Sequence, residues 1–270
     1  MEFEGKTALV TGKEEKILCC KYRRVFISIS GSTSGIGEGI AVSFAKNGAK
    51  VVVTGRDKAR LDVVVNACNK ASPSGHKALG IIAELTKDED MKRIIDETVK
   101  HFGKLDVLVN NAGRTLFSSV EDANLMKTFD MMYATNLRPF IYMSNLAIPH
   151  LVKTKGCIVN ISSTSAIKPE REMLPTNVID SGKDMVTRTF ALELGPKGVR
   201  VNSVRPGWIK TPAYEKEGLV FEQMEGLKKQ PIKKHGDPSD VAHCVLFLAS
   251  PRSAFITGAC LQTDGGLSDA

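Results

Sequence analysis

The chain has 270 residues, 42% hydrophobic and 25% charged, with a formal net charge of +7. That is ordinary globular composition, and no apolar run reaches the roughly 18 residues that a membrane helix needs. Of the charge, +3 lies within Lys13–Arg24 and the remaining +4 is spread among acids, whereas a nucleic-acid surface needs clustered Lys/Arg with aromatics.

The six cysteines show no CxxC and no ligand spacing with the five histidines. They read as reduced thiols, mostly core filler, and no metal site is expected. The opening MEFEGKT lacks a signal-peptide n-region. A cytoplasmic protein without nucleic-acid or membrane partners is the expectation.

Short apolar runs alternate with amphipathic segments. Lys6–Gly12 (KTALVTG) and Arg23–Gly31 (RRVFISISG) both read as buried strands. The first helix follows a glycine-rich turn, from Gly35. Lys50–Arg56 is a strand, Asp57–Ala71 a helix and Lys77–Thr86 a strand. Asp88–Gly103 is a helix that opens on acids, as the helix dipole favours. Lys104–Gly113 is a strand, and a long helical stretch covers about 122–152. Cys157–Ser163 (strand), Ser181–Leu194 (helix) and Gly198–Gly207 (strand) come next. An irregular region at Trp208–Gln230 precedes the helix of Asp237–Ser250 and the strand of Gly258–Gly266. Near-continuous apolar strands between helices predict a parallel sheet covered on both faces. The fold class is α/β, a Rossmann-like doubly wound sheet, and 1–270 form one domain with no internal repeat.

GSTSGIG places Gly31, Gly35 and Gly37 between a strand and a helix. Glycines there let the backbone turn tightly and approach a pyrophosphate seated on the helix N-terminus. Alone this pattern is weak. Followed in order by NNAG (Asn110–Gly113), IVNISS, RVNSVRPG (Arg200–Gly207) and ITGACLQTDGG (Ile256–Gly266), it resembles the short-chain dehydrogenase/reductase family over about nine-tenths of the chain.

The resemblance implies NAD(P)(H), hydride transfer to or from a small-molecule carbonyl or alcohol, a seven-stranded parallel sheet, and a homotetramer or homodimer. It assigns Gly31, Ser34, Gly35, Ile36 and Gly37 to the pyrophosphate loop. Asn110, Ala112 and Gly113 fall beside the adenosine ribose. Pro206, Gly207 and Ile209 meet the nicotinamide amide, with Thr211 close behind. Glu84 stands where an aspartate usually accepts from the adenine amine. An NAD site wants a carboxylate at the end of the second strand. Here Gly55 leaves space and Arg56 brings a fixed positive charge that attracts a 2′-phosphate, so the expected cofactor is NADP(H).

Family chemistry rests on Asn, Ser, Tyr and Lys. Asn136 matches the first and Ser163 the second. The tyrosine normally lies thirteen residues after that serine and the lysine four further, which lands on Thr176 and Asp180. Anchoring on Lys183 instead lands on Ile179, so neither register supplies a tyrosine. An aliphatic hydroxyl is too weak an acid for the role, and a carboxylate raises rather than lowers the pKa of a neighbouring hydroxyl. Lys183 occupies a position that the family fills with an apolar residue, and an i, i+3 pair with Asp180 is its expected arrangement.

Three readings follow: an NADP(H)-binding protein with hydride transfer lost or severely impaired; an active ketone or alcohol oxidoreductase with an unorthodox acid, Tyr133 or Tyr214 being the candidates; or a defective product. Restoring Thr176→Tyr with Asp180→Lys is expected to raise turnover about a hundredfold or more.

The N-terminus holds a second anomaly. Deleting the nineteen residues Lys13–Gly31 rejoins KTALVTG to STSGIG. The block is read either as a translated short intron or as a real insertion at the mouth of the cofactor site. Val25–Ser30 is preferred to Lys6–Gly12 as the first central strand, because it joins the glycine turn directly.

Overall fold

In a computed structural model, the structure describes residues 26–212, 227 and 229–270. Seven parallel strands run in the order β3-β2-β1-β4-β5-β6-β7. They are β1 (Phe26–Ile29), β2 (Lys50–Gly55), β3 (Leu79–Ile82), β4 (Val107–Asn110), β5 (Cys157–Ile161), β6 (Arg200–Pro206) and β7 (Cys260–Thr263). The strand order reverses at the β1/β4 boundary, where open α/β sheets leave a crevice beyond their carboxyl ends.

The helices are α1 (Gly35–Lys46), α2 (Lys58–Ala71), α3 (Asp88–Phe102), α4 (Leu125–Met132), α5 (Arg138–Thr154), α6 (Leu174–Leu194) and α7 (Pro238–Ala249). Alternate strand side chains feed two cores. Ile27, Ile29, Val51, Val53 and Val109 pack with Phe44, Leu61 and Val245 from α1, α2 and α7. Val52, Leu108 and Ile158 pack with Ile94, Met143 and Ala191 from α3, α5 and α6. Such double cover is why these strands read as continuous apolar runs rather than alternating ones.

The first central strand is Phe26–Ile29, hydrogen-bonded to β2 and β4. The preferred segment therefore occupies the slot, and it comes from inside the Lys13–Gly31 block. The competing Lys6–Gly12, with Cys19, Cys20, Tyr22 and most of that block, lies outside the described residues, as does Tyr214. Ser28 is fully buried in β1 and its Oγ has no hydrogen-bond partner among the described residues. Cys68 and Cys157 are buried core thiols; burial pushes them up to about 12 and about 11 respectively.

Two helices depart from expectation. The stretch at 122–152 is two helices joined by a π-helical turn, Tyr133–Leu137. The helix expected from Ser181 begins seven residues earlier, at Leu174, with Pro175 in its first turn. Proline fits there because the first-turn N–H groups lack intrahelical acceptors anyway. The β-branched TNVID therefore lies inside α6 rather than in a loop, where packing overrides its modest helix propensity.

Candidate active site

The motif residues gather at the carboxyl ends of β1, β2, β4, β5 and β6. Gly31 adopts φ +61°, and a Cβ there would meet Ala112 Cα at 2.7 Å. A Cβ on Gly37 would stand 2.4 Å from Gly31 O and 2.6 Å from Asn111 Nδ2. The turn therefore requires glycine at both positions. Ser34 is the N-cap of α1 but makes no side-chain cap, which leaves first-turn N–H groups facing the crevice. This is the cradle that an anionic pyrophosphate fits. Ile36 packs against the core beneath it. Gly35 faces Thr211, whose Cβ lies 3.1 Å from the place of a Gly35 Cβ, so the glycine turn and the segment after β6 converge. Gly207 touches the chain at Asp264, and Ile209 is buried beside it.

At the adenosine end, Arg56 is 75% exposed and pairs with Glu84 at 3.4 Å. The two residues assigned separately to the ribose phosphate and the adenine thus hold each other. The space left by Gly55 is filled by Thr33, whose Cγ2 lies 2.4 Å from the place of a Gly55 Cβ.

Asn110 is turned into the protein. Its Nδ2 donates to Ser144 Oγ (3.0 Å) and Asn160 Oδ1 (2.9 Å), and Asn160 Nδ2 donates to Thr187 Oγ1 (2.9 Å). Its neighbour Asn111, which the motif reading passed over, ties the strand end to the glycine turn through Nδ2 to Gly31 O at 3.0 Å. Ser30 Oγ accepts from the N–H groups of Asn111 (2.9 Å) and Ala112 (3.2 Å). A polar residue at the last position before the turn glycine was the available signal for that contact.

Asn136 lies in the π-helical turn, a geometry that often marks function. It clamps one backbone unit of the loop after β4: Oδ1 accepts from Arg114 N at 3.2 Å and Nδ2 donates to Arg114 O at 2.6 Å. Gly113 approaches the same side chain. Tyr133, in the first position of that turn, is 44% exposed.

Ser163 is half-buried just beyond β5, and its Oγ accepts from Ser165 N at 3.2 Å. Thr176 is buried on α6 and donates to Leu116 O at 3.1 Å, which commits its hydroxyl proton to the backbone. One turn on, Asp180 Oδ1 receives Lys183 Nζ at 2.8 Å, with the side chains only 6% and 7% exposed. Asp180 Oδ2 accepts from Ser165 Oγ at 2.6 Å. The expected i, i+3 pair is therefore present, and it changes the electrostatics: the carboxylate does not stand as a free negative charge. Lys183 also lies 4.8 Å above the Phe140 ring, a favourable place for an ammonium. Ser165 was not foreseen, because only the fold brings it beside α6.

A protein-family profile described as Enoyl-(Acyl carrier protein) reductase matches residues 31–268. The 3-oxoacyl-[acyl-carrier-protein] reductase of Thermotoga maritima is 34% identical over 245 residues, covering 88% of this chain and 96% of that protein. The L-fucose dehydrogenase of Bos taurus is 31% identical, over 91% of this chain and 90% of its own length. Among solved structures, a 7α-hydroxysteroid dehydrogenase complexed with NADH and 7-oxo glycochenodeoxycholic acid superposes with a TM-score of 0.84 at 30% identity, covering 90% of this chain and 93% of the other. A short-chain type dehydrogenase/reductase from Mycobacterium ulcerans gives 0.87 at 26% identity, with 92% and 91% covered. With this sheet order, this glycine cradle and these relatives, the chain belongs to the short-chain dehydrogenase/reductase family of oxidoreductases.

Proposed function

We propose that the protein binds NADP(H) and that its carbonyl or alcohol hydride transfer is severely impaired. The observation that carries this reading is the pair of positions on α6: the hydroxyl of Thr176 donates to Leu116 O, and Asp180 is locked to Lys183. Neither side chain offers a phenol or a free ammonium. General acid–base catalysis contributes about 10²–10⁴-fold, and that is the scale of the loss. The cofactor when bound supplies the hydride. Gly31, Ser34, Gly35, Ile36 and Gly37 would hold its pyrophosphate, Arg56 its 2′-phosphate and Glu84 its adenine. Ala112 and Gly113 would line the ribose side, with Pro206, Gly207, Ile209 and Thr211 at the nicotinamide end. Asn136 and Ser163 remain in place to hold the loop and bind a substrate oxygen.

The reading includes a cytoplasmic, symmetric homo-oligomer. Val178, Met185 and Leu192 expose an apolar stripe along α6, with Leu192 at 79%, and Ile141 adds to it from α5. Such a stripe is buried most simply by a second copy. Fluorescence titration with NADPH and NADH, and turnover on a panel of small ketones, test the reading together. Saturable NADPH binding with turnover at least about a hundredfold below that of a tyrosine-bearing relative is expected. Ordinary family turnover would overturn it.

A further inference from the structure

Asp180 holds the loop after β5 at two points, and one of them is linked on to Ser163. Its carbonyl accepts from Ser162 Oγ at 3.2 Å. Its carboxylate accepts from Ser165 Oγ, and Ser165 N in turn donates to Ser163 Oγ. A carboxylate this buried is costly unless its charge is matched. Lys183 matches it, and no second basic residue contacts it among the described residues.

We propose that Asp180 is a positioning residue for Ser163, that it works only as one charge-neutral unit with Lys183, and that an ammonium can be placed at 180 only if the one at 183 is removed. This rests on the reading of impaired hydride transfer above. It also corrects the expectation that two substitutions restore activity. Asp180→Lys on its own puts two ammonium groups three residues apart on one buried helix face. The change removes Lys183's counter-ion and supplies none for the new ammonium, and the like charges disfavour ionisation at both. A cation that is deprotonated or displaced cannot lower the pKa of a phenol at 176. It also abandons Ser165, so Ser163 loses its support.

The test compares the parent with T176Y/D180K and T176Y/D180K/K183L. The first should melt at least about 6 °C below the parent, the scale of a broken buried pair in a chain of this size, and show no gain in turnover. The second should melt above T176Y/D180K, since the like-charge repulsion is gone, but below the parent, since the ammonium at 180 then has no counter-ion, and it should exceed the parent's ketone turnover about a hundredfold. Three further variants read the coupling without any substrate. K183L should lose about 6 °C or more, D180N/K183L should regain at least half of that, and K183R should stay within about 2 °C of the parent. The proposal falls if T176Y/D180K is as stable as the parent, if the triple variant is no more stable than T176Y/D180K, or if K183L costs nothing. A parent that already matches the triple variant's turnover would overturn the reading of impaired chemistry instead, and the melting temperatures of the other three variants would still decide the pair.

Discussion

Gly37→Ala and Gly195→Ala are the same chemical change with opposite expected outcomes. At Gly37 the added methyl would lie 2.4 Å from Gly31 O, 2.6 Å from Asn111 Nδ2 and 2.9 Å from Ser32 Cα. Ordinary contact begins near 3.4 Å, so a backbone oxygen has to move by about an ångström. That oxygen accepts from Asn111, and Gly31 is itself pressed against Ala112. Overpacking of this kind costs about 1–3 kcal/mol. The better helix propensity of alanine offsets about 1 kcal/mol, and the strained Asn111 bond adds about 1 kcal/mol back. The net is about 1–3 kcal/mol, at about 2–4 °C per kcal/mol.

The effect on cofactor affinity is larger. An ångström of movement at the N-terminus of α1 would take one N–H group off a bound cofactor's charged phosphate, a contact worth about 1.5–3 kcal/mol. NADPH affinity should fall about 10- to 100-fold. Gly195, by contrast, has φ −52°, and among the described residues a Cβ there would meet nothing within 4 Å beyond its own chain neighbours. Alanine there should stabilise by about 0.4–1 kcal/mol through the unfolded chain, and NADPH affinity should not change. Differential scanning fluorimetry and nicotinamide fluorescence titration read both numbers. Gly37→Ala binding NADPH within twofold of the parent would refute the cradle.

Arg56→Ala should weaken NADPH more than NADH, whereas Glu84→Gln should tighten NADPH by no more than about fivefold, because an exposed ion pair is worth about 1 kcal/mol at most; competitive titration of the two nucleotides checks both. Asp184 accepts from Arg205 Nε and Nη2 at 2.7 and 2.6 Å, both residues being buried. Asp184→Ala should therefore cost about 3–5 kcal/mol by urea unfolding, and an apolar double replacement, D184L/R205M, should regain most of it. Ser28→Ala should stabilise the chain by about 1 kcal/mol or more, since it removes a buried hydroxyl without a partner; a fall in melting temperature would refute this.

The sheet was legible because its signal is redundant. The central strands have apolar residues on both faces, and each of β1 to β6 is followed along the chain by a helix. Slips in boundary, such as β3 shortening to Leu79–Ile82, leave that order intact. The start of α6 was misplaced because TNVID is β-branched and polar, and local propensity is weak against the burial of Thr176, Ile179 and Asp180. The π-helical turn at Tyr133–Leu137 has no composition of its own and was read as continuous helix.

By itself the sequence determined the family, the glycine turn, the absence of a tyrosine at either register, and the i, i+3 spacing of Asp180 and Lys183. Spacing along a helix is a local matter, and the chain carries it wherever the helix goes. Only the tertiary structure decided what those residues meet. Ser165 reaches Asp180 from a different element, and Arg56 finds Glu84 across the gap between β2 and β3. Asn110 turns inward while Asn111 holds the glycine turn. These contacts join residues from different elements, and what a buried charge or hydroxyl does is set by the partner that the fold brings to it. The Asp180–Lys183 pair follows from spacing along α6, but its burial and its tie to Ser165 come from the fold.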